Sequence, residues 1–432
     1  MTNSSKHLAT IRKNGWLPMM TLTALVAGHA SVVHAGATFK IDDTKWISVG
    51  AGLKTSFSTV ENANGRPGDS KWSTDFALNN LRLYMNGQMH KYIKFTFNTE
   101  CSNCGDGGDI RILDGIAQFE INPYVNVWAG RQLVPEGRIE MNGPFYSATF
   151  EPFKTPFEAS DSTIQNVLPG PDAGTFGRDE GVNFWGAALD GHLKYVFGVF
   201  EGLKRSNYSG PGKTANADGN LMYSTRIAYN ILNVENAPGY YTGGTAYGGD
   251  GDVLTLAGFA QYQEDGAGSY EKPGNVLMAG GDVKLEKVFA NKGVLTANAE
   301  YKNFGIDYST GAPGAGTSTN NFLVGGGGGG LVNPFQGDSI TSNLMYLIPQ
   351  KVWVGQFQPY VMYTNVHTRA GFTSQQDQDE YEAGVNYIID GHNARVSLLW
   401  QGGDLSGGGG IWNPAANGNF VNAIKLGVQL QI

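Results

Sequence analysis

From residue 44 onward the chain alternates with period two. Leu81-Arg82-Leu83-Tyr84-Met85-Asn86-Gly87-Gln88-Met89 sets apolar residues against mostly polar ones, and Tyr92-Ile93-Lys94-Phe95-Thr96-Phe97-Asn98 does the same. Leu295-Thr296-Ala297-Asn298-Ala299-Glu300-Tyr301-Lys302 and the run from Ile424 to Ile432 repeat the pattern. Alternation sends every second side chain to one face of a strand, so these segments read as amphipathic strands. A soluble sandwich buries its apolar face, whereas a membrane barrel turns that face to lipid and keeps a polar interior. Length separates the two. Globular strands usually run about 5–6 residues, while these run about 9–13, matching the ~9–11 that cross a bilayer at a tilt.

Composition narrows the alternatives. Glycine supplies 62 of 432 residues and charged residues only 16%, against usual shares of about 7% and 25%. So little charge beside so much glycine excludes a coiled coil. Aromatic residues make up 12% of the chain, enough burial to exclude a disordered one. No uncharged apolar run near ~20 residues occurs after residue 35, which excludes a polytopic helical membrane protein.

The N-terminus reads as an export signal. Lys6, Arg12 and Lys13 precede an apolar stretch from Trp16 to Ala30, and Val33-His34-Ala35 fits the small-x-Ala cleavage rule. Pro18, Gly28 and His29 interrupt the stretch, which favours a cleaved signal at 1–35 over an anchor; a cut after Ala37 also satisfies the rule. The net charge of −8 becomes more negative once those bases are removed. Nucleic acid is therefore not an expected partner, because phosphate binding needs clustered Lys and Arg.

Sixteen strands are expected, near 45–59, 75–89, 91–100, 110–121, 123–133, 179–189, 192–203, 220–231, 252–263, 275–288, 293–304, 339–349, 352–366, 380–389, 392–402 and 420–432. An even number suits a bacterial barrel with both termini on the periplasmic side. Tight junctions at His90-Lys91, Asn122-Pro123, Asp190-Gly191, residues 290–293, Pro349-Gln350 and Asp390-Gly391 carry turn residues. They alternate with long loops, notably 134–178, 305–338 and 403–419. The connection 232–251 is long although it falls on the short-turn side. The glycine runs 325–330 and 407–410 read as loop; no lysine follows either in a phosphate-loop pattern. The fold expected for 36–432 is all-β, a transmembrane antiparallel barrel of about 16 strands, its partner outer-membrane lipid.

The segment 134–178 is long yet rich in apolar residues, among them Phe145, Tyr146, Phe150, Phe153 and Phe157. Long ordered loops are usually functional. This one suits a constriction folded into the lumen, with packing on the rim or in a subunit contact as the alternative. Its charged residues Glu136, Arg138, Glu140, Glu151, Lys154, Glu158 and Asp161 are the candidate constriction residues. Parity places Arg82, Lys94, Arg226, Lys302 and Arg395 on the lumen wall, with Lys54, Lys194, Lys284 and Lys425. It also places Glu100, Asp114, Glu120, Asp282, Glu286, Glu300 and Glu382 there. The wall is then mixed in sign while the loop is acid-rich. Acid rings favour cations and basic rings anions, so neutral or mildly cation-favouring permeation is expected.

The only cysteines, Cys101 and Cys104, read as a small loop disulfide in an exported protein, with redox or zinc roles less suited to their context. Past the signal the histidines are His90, His192, His367 and His392. Three fall at expected turns and His367 at a strand top, which does not suit a Ser-His-Asp site. Neither enzymatic activity nor a cofactor or metal is expected.

A series of short motifs carries a resemblance. Gly130-Arg131 with Pro135 is followed by Gly177-Arg178-Asp179-Glu180-Gly181-Val182, then Asp190-Gly191-His192-Leu193-Lys194-Tyr195 and Gly198-Val199-Phe200-Glu201-Gly202. Arg226-Ile227-Ala228-Tyr229-Asn230, Tyr240-Tyr241-Thr242 and Gly355-Gln356-Phe357-Gln358-Pro359-Tyr360 continue it. The ordered series, over roughly 110–432, resembles the phosphate-selective porin family, porins O and P. The resemblance implies a sixteen-stranded, usually trimeric outer-membrane pore constricted by the loop after strand five, and offers a precedent for a long 232–251. The family's selectivity rests on constriction lysines and an arginine ladder, which the acid-rich loop here departs from. Its members more often end in Phe than in Ile432. The expected function is passive diffusion of small hydrophilic solutes or ions. An anion- or phosphate-selective porin and a surface adhesion or structural barrel are the alternatives.

Overall fold

The computed structural model describes residues 36–61, 72–102, 110–152, 177–202, 216–268, 273–308, 323–325, 332–334, 337–368, 377–403 and 420–432. The export signal, Cys104, Lys154, Glu158, Asp161, the glycine run 407–410 and all of the run 325–330 except Gly325 lie outside them.

The wall strands are β1 (Trp46–Glu61), β2 (Trp72–His90), β3 (Ile93–Ser102), β4 (Arg111–Glu120), β5 (Asn126–Leu133), β6 (Arg178–Ala188), β7 (Leu193–Phe200) and β8 (Met222–Asn230). They continue as β9 (Val253–Gly268), β10 (Pro273–Val288), β11 (Val294–Tyr308), β12 (Gly337–Leu347), β13 (Gly355–Thr368), β14 (Gln378–Asp390), β15 (Ala394–Gly403) and β16 (Val421–Gln431). Each pairs antiparallel with the next. β16 then pairs with β1, from Gly52 opposite Gln431 to Val60 opposite Ala423. The sheet is a closed sixteen-stranded barrel, as the alternation predicts. Closure pairs every strand edge, the condition for a sheet in hydrocarbon. Below the seam, Ala37–Lys40 pairs with the start of β1 and prolongs the line of β16.

Polarity is inverted relative to a soluble core. On β16, Leu426 and Leu430 are exposed, while Lys425 and Gln429 are buried. On β2 and β3, Leu83 and Phe97 face out, whereas Arg82 and Glu100 face in and pair with each other. An irregularity between Lys54 and Thr55 opposite β2 leaves Asn79 unmatched. The extra residue shifts parity, so that Phe76 and Leu81 are both exposed although five positions apart. The short connections lie at the end of the barrel that carries Gly36 and Ile432, both beside the start of β1. The reversal at 189–191 puts Leu189, Asp190 and Gly191 at φ of 53°, 55° and 91°, which the Asp-Gly pair tolerates better than most residues. No helix among the described residues is long and apolar enough to cross a membrane.

Candidate functional site

The chain leaving β5 turns into the barrel. The Val134 amide donates to the Gly177 carbonyl (3.0 Å) and ties the neck of the loop, and Pro135 accepts from Ser224 on β8 and Gln261 on β9. One short helix follows, α1 (Arg138–Asn142), entered from Gly137 without a side-chain cap of its own. Glu300 of β11 serves instead, accepting the Ile139 amide at 3.0 Å. Glycine at 137 leaves room for this carboxylate, because a Cβ there would lie 2.1 Å from it and would push the Glu300 side chain aside.

Each candidate charge on this half of the loop meets the wall. Arg138 is bidentate to Glu235 (2.8 Å to each oxygen) and 3.1 Å from Asp282. Asp282 also holds Arg226, whose Nη1 donates to the Glu136 carbonyl at 3.0 Å. Lys302 pairs with Glu140 and lies 3.5 Å from Glu136 and 3.2 Å from Glu300. Burial pushes the Glu136 carboxyl up to about 7, Lys302 opposing and Glu300 adding to the shift.

The next stretch crosses toward the seam. Phe145 lies over Gly52 of β1, edge-on to Tyr84 at 6.3 Å, with the Arg82 guanidinium 5.1 Å from its ring. Phe150 lies over Gly427 of β16, with Lys54 4.3 Å from its ring. Lys54 donates to the carbonyls of Pro144 and Phe150. Arg395 donates to those of Ser147 (2.9 Å) and Thr149 (2.8 Å). Glu151 pairs with Lys425 and accepts from Gln401.

A second segment enters from the opposite end. The connection 232–251, whose length the alternation leaves without a reason, folds inward and packs on α1 and the wall. Tyr240 joins Trp128, Trp185 and Tyr241 in an aromatic cluster, its hydroxyl donating to the Leu133 carbonyl at 2.7 Å. Ala246 and Gly248 amides donate to Glu286 of β10. The two segments bond directly: Gly244 amide to Tyr146 carbonyl (3.0 Å), Thr242 amide to Met141 carbonyl (3.3 Å), Thr242 hydroxyl to Arg138 carbonyl (2.9 Å). Glu235 sits at the junction. Burial would raise its carboxyl, but Arg138 and Lys284 hold it well below the usual carboxylate range. His392, in the turn between β14 and β15, donates through Nε2 to the Thr245 carbonyl at 2.9 Å and contacts Tyr247. Burial, helped by Arg395, pushes its imidazole down to about 3, so this histidine is neutral.

A sixteen-stranded closed wall, polar within and apolar without, crossed by the loop after its fifth strand, matches solved structures. The chain has the porin fold. The anion-selective porin from Comamonas acidovorans superposes with a TM-score of 0.53 at 13% identity, over 90% of this chain and 100% of that one. OmpF of Salmonella typhi, solved with daunomycin, gives 0.53 at 11% identity over 90% and 98%. OmpT of Vibrio cholerae gives 0.51 at 12% identity over 92% and 100%. No protein-family model and no curated protein matches the sequence.

Arg82, Arg226, Lys302 and Arg395 are buried on the inner face, and Lys94 is half-buried there beside Glu120. The acid excess read from the loop is not a free ring at Glu136, Glu140 and Glu151, because wall lysines meet all three. Glu235 carries no alternation or motif; the 232–251 insertion is marked in the sequence by its length and by Tyr240-Tyr241-Thr242. Cys101 is disulfide-bonded. Among the described residues, one acidic trio with metal-compatible spacing, Asp179, Glu180 and Glu201, occurs at the loop end of β6 and β7. Its Asp179 already accepts the Gly202 amide and its Glu180 pairs with Arg131.

Proposed function

We propose that this chain is an outer-membrane porin, giving small hydrophilic solutes and ions a passive path through its barrel. One observation carries the reading: the closed wall is apolar outward and charged inward, the polarity of a barrel set in lipid around a polar lumen. Residues 134–178 act as the constriction loop. The described part of that loop supports this through its ties to both sides of the lumen, at Lys302 and at Arg395. Residues 1–35 are the cleaved export signal, Cys101 and Cys104 the loop disulfide, and three copies assemble as the resemblance implies.

Selectivity in this reading is weak. Among the described residues, the lumen charges contact one another or main-chain carbonyls, and they form no ring of one sign. Phosphate selectivity is not part of the proposal. The test is solute flux into liposomes containing the purified protein. Small neutral sugars should enter at rates that fall steeply with size, and phosphate should not slow chloride. A sealed liposome contradicts the channel, and block by low phosphate contradicts the weak selectivity.

A further inference from the structure

Water reaches the inner wall unevenly. Near the short-turn end of the barrel, Glu286 of β10, Thr296 of β11, Gln358 of β13, Asn386 of β14, Arg395 of β15 and Gln429 of β16 all point inward at 0% exposure. The two inserted segments seal them. Glu286 accepts amides of Ala246 and Gly248, and the Thr296 hydroxyl lies 3.4 Å from that of Thr245. Asn386 donates to the Ala148 carbonyl at 3.3 Å and Gln429 to that of Phe145 at 2.9 Å.

At the same end, β2 and β3 differ. Tyr84, Asn86 and Gln88 lie opposite Asn98, Thr96 and Lys94. All six share the inward parity of Arg82 and Glu100, yet each is only half-buried. Burial returns on either side, at Ser48 of β1 opposite Asn86 and at Gln118 of β4 opposite Lys94. The open strip is therefore two strands wide. Among the described residues, no hydrogen bond joins it to 232–251, and the loop reaches it where Phe145 meets the edge of Tyr84. Beside that contact, Tyr146 is the one exposed residue of 134–150, at 38%. A second half-buried pair, Trp185 and Lys194, lines a cavity of about 50 Å³ with Tyr241 and Glu235, room for a few waters but for no larger solute.

We propose that the loop and the insertion together divert the channel, so that its short-turn exit runs along the inner face of β2 and β3, with Asn86 and Thr96 as residues that set what passes. The inference rests on reading the barrel as a porin. The strip carries one base, Lys94, which pairs with Glu120 while both stay partly exposed, at 32% and 22%. The rest is amide and hydroxyl, the Thr96 hydroxyl donating to Asn86 at 2.8 Å. A solute leaving by this route meets hydrogen-bonding groups and no net charge. A charge added at Asn86 would then govern ion passage, since selectivity follows the charge nearest the narrow path.

The test places single thiols in the full chain, whose own Cys101 is disulfide-bonded. Asn86→Cys and Thr96→Cys probe the strip, and Thr296→Cys is the covered control near the same end. Each is treated with a cationic and with an anionic methanethiosulfonate while conductance and reversal potential are followed in a planar bilayer. Modification on the strip should be at least about tenfold faster than at Thr296→Cys, because a thiol reacts where reagent and water reach it. On the strip, either reagent should lower conductance. The cationic one should move the potential toward chloride and the anionic one toward cations. Thr96→Cys carries the test if Asn86→Cys does not assemble. In a parent that conducts, equal modification at strip and control, or modification of the strip that leaves conductance and potential unchanged, overturns this exit alone. A parent that never conducts overturns the channel and the exit together.

Discussion

The ring of Phe150 occupies the space that a side chain at Gly427 would fill, a Cβ there falling 2.5 Å from ring atoms. Gly52, on the neighbouring strand, makes the equivalent room for Phe145 at 2.8 Å. Two inward glycines beside the barrel seam are thus receptacles for two loop phenylalanines. Gly427→Val should expel Phe150 and forfeit about 1.5–3 kcal/mol of loop docking, the worth of burying such a ring. The barrel should still assemble and shift on heating in gels, while the loop becomes cleavable by added protease. A loop as resistant as that of the parent would show that Phe150 does not anchor it.

The assignment of faces predicts opposite outcomes at adjacent residues. Phe95 lies on the outer face of β3, and Thr96 on the inner face, where its hydroxyl donates to Asn86. Phe95→Arg sets a charge in hydrocarbon at roughly 2–4 kcal/mol, whereas Thr96→Arg enters a polar interior. Folding yield into lipid vesicles should therefore fall for Phe95→Arg far more than for Thr96→Arg. The reverse order would mean that the wall is inside out.

Arg138 joins both inserted segments to the wall through Glu235 and Asp282. Arg138→Met removes the guanidinium and leaves Glu235 with Lys284 and Asp282 with Arg226 as their remaining ion-pair partners, a loss of at most about 3–5 kcal/mol, the cost of breaking a buried pair from one side. Adding Glu235→Gln should recover part of that loss, since one buried charge goes with it. Midpoints of heat-induced unfolding for the two single variants and the double variant give the coupling between the residues.

The wall was legible because period two does two things at once. It marks each strand and fixes which side chains point inward, so Lys54, Arg82, Lys302 and Arg395 could be placed without coordinates. Alternation fails across Asn79, where the extra residue moves the apolar set from Leu81 to Phe76 and the strand reaches back to Trp72. The lumen contents were not legible in the same way. Arg138 meets Asp282 across 144 positions of sequence, and 232–251 is held by main-chain amides and carbonyls, which leave no residue-type signature. An acid excess counted along 134–177 also misleads about local charge. The partners of Glu140 and Glu151 are Lys302 and Lys425, far away in the chain.

Reversal potential in a KCl gradient across a planar bilayer holding the purified full-length protein tests the account most directly. Steady conductance is expected, with a potential near zero or slightly toward cation preference. Neutralising Glu151 with Gln should release Lys425 from its ion pair and move the potential toward chloride. No conductance, or strong chloride preference in the unmodified protein that low phosphate blocks, would contradict it.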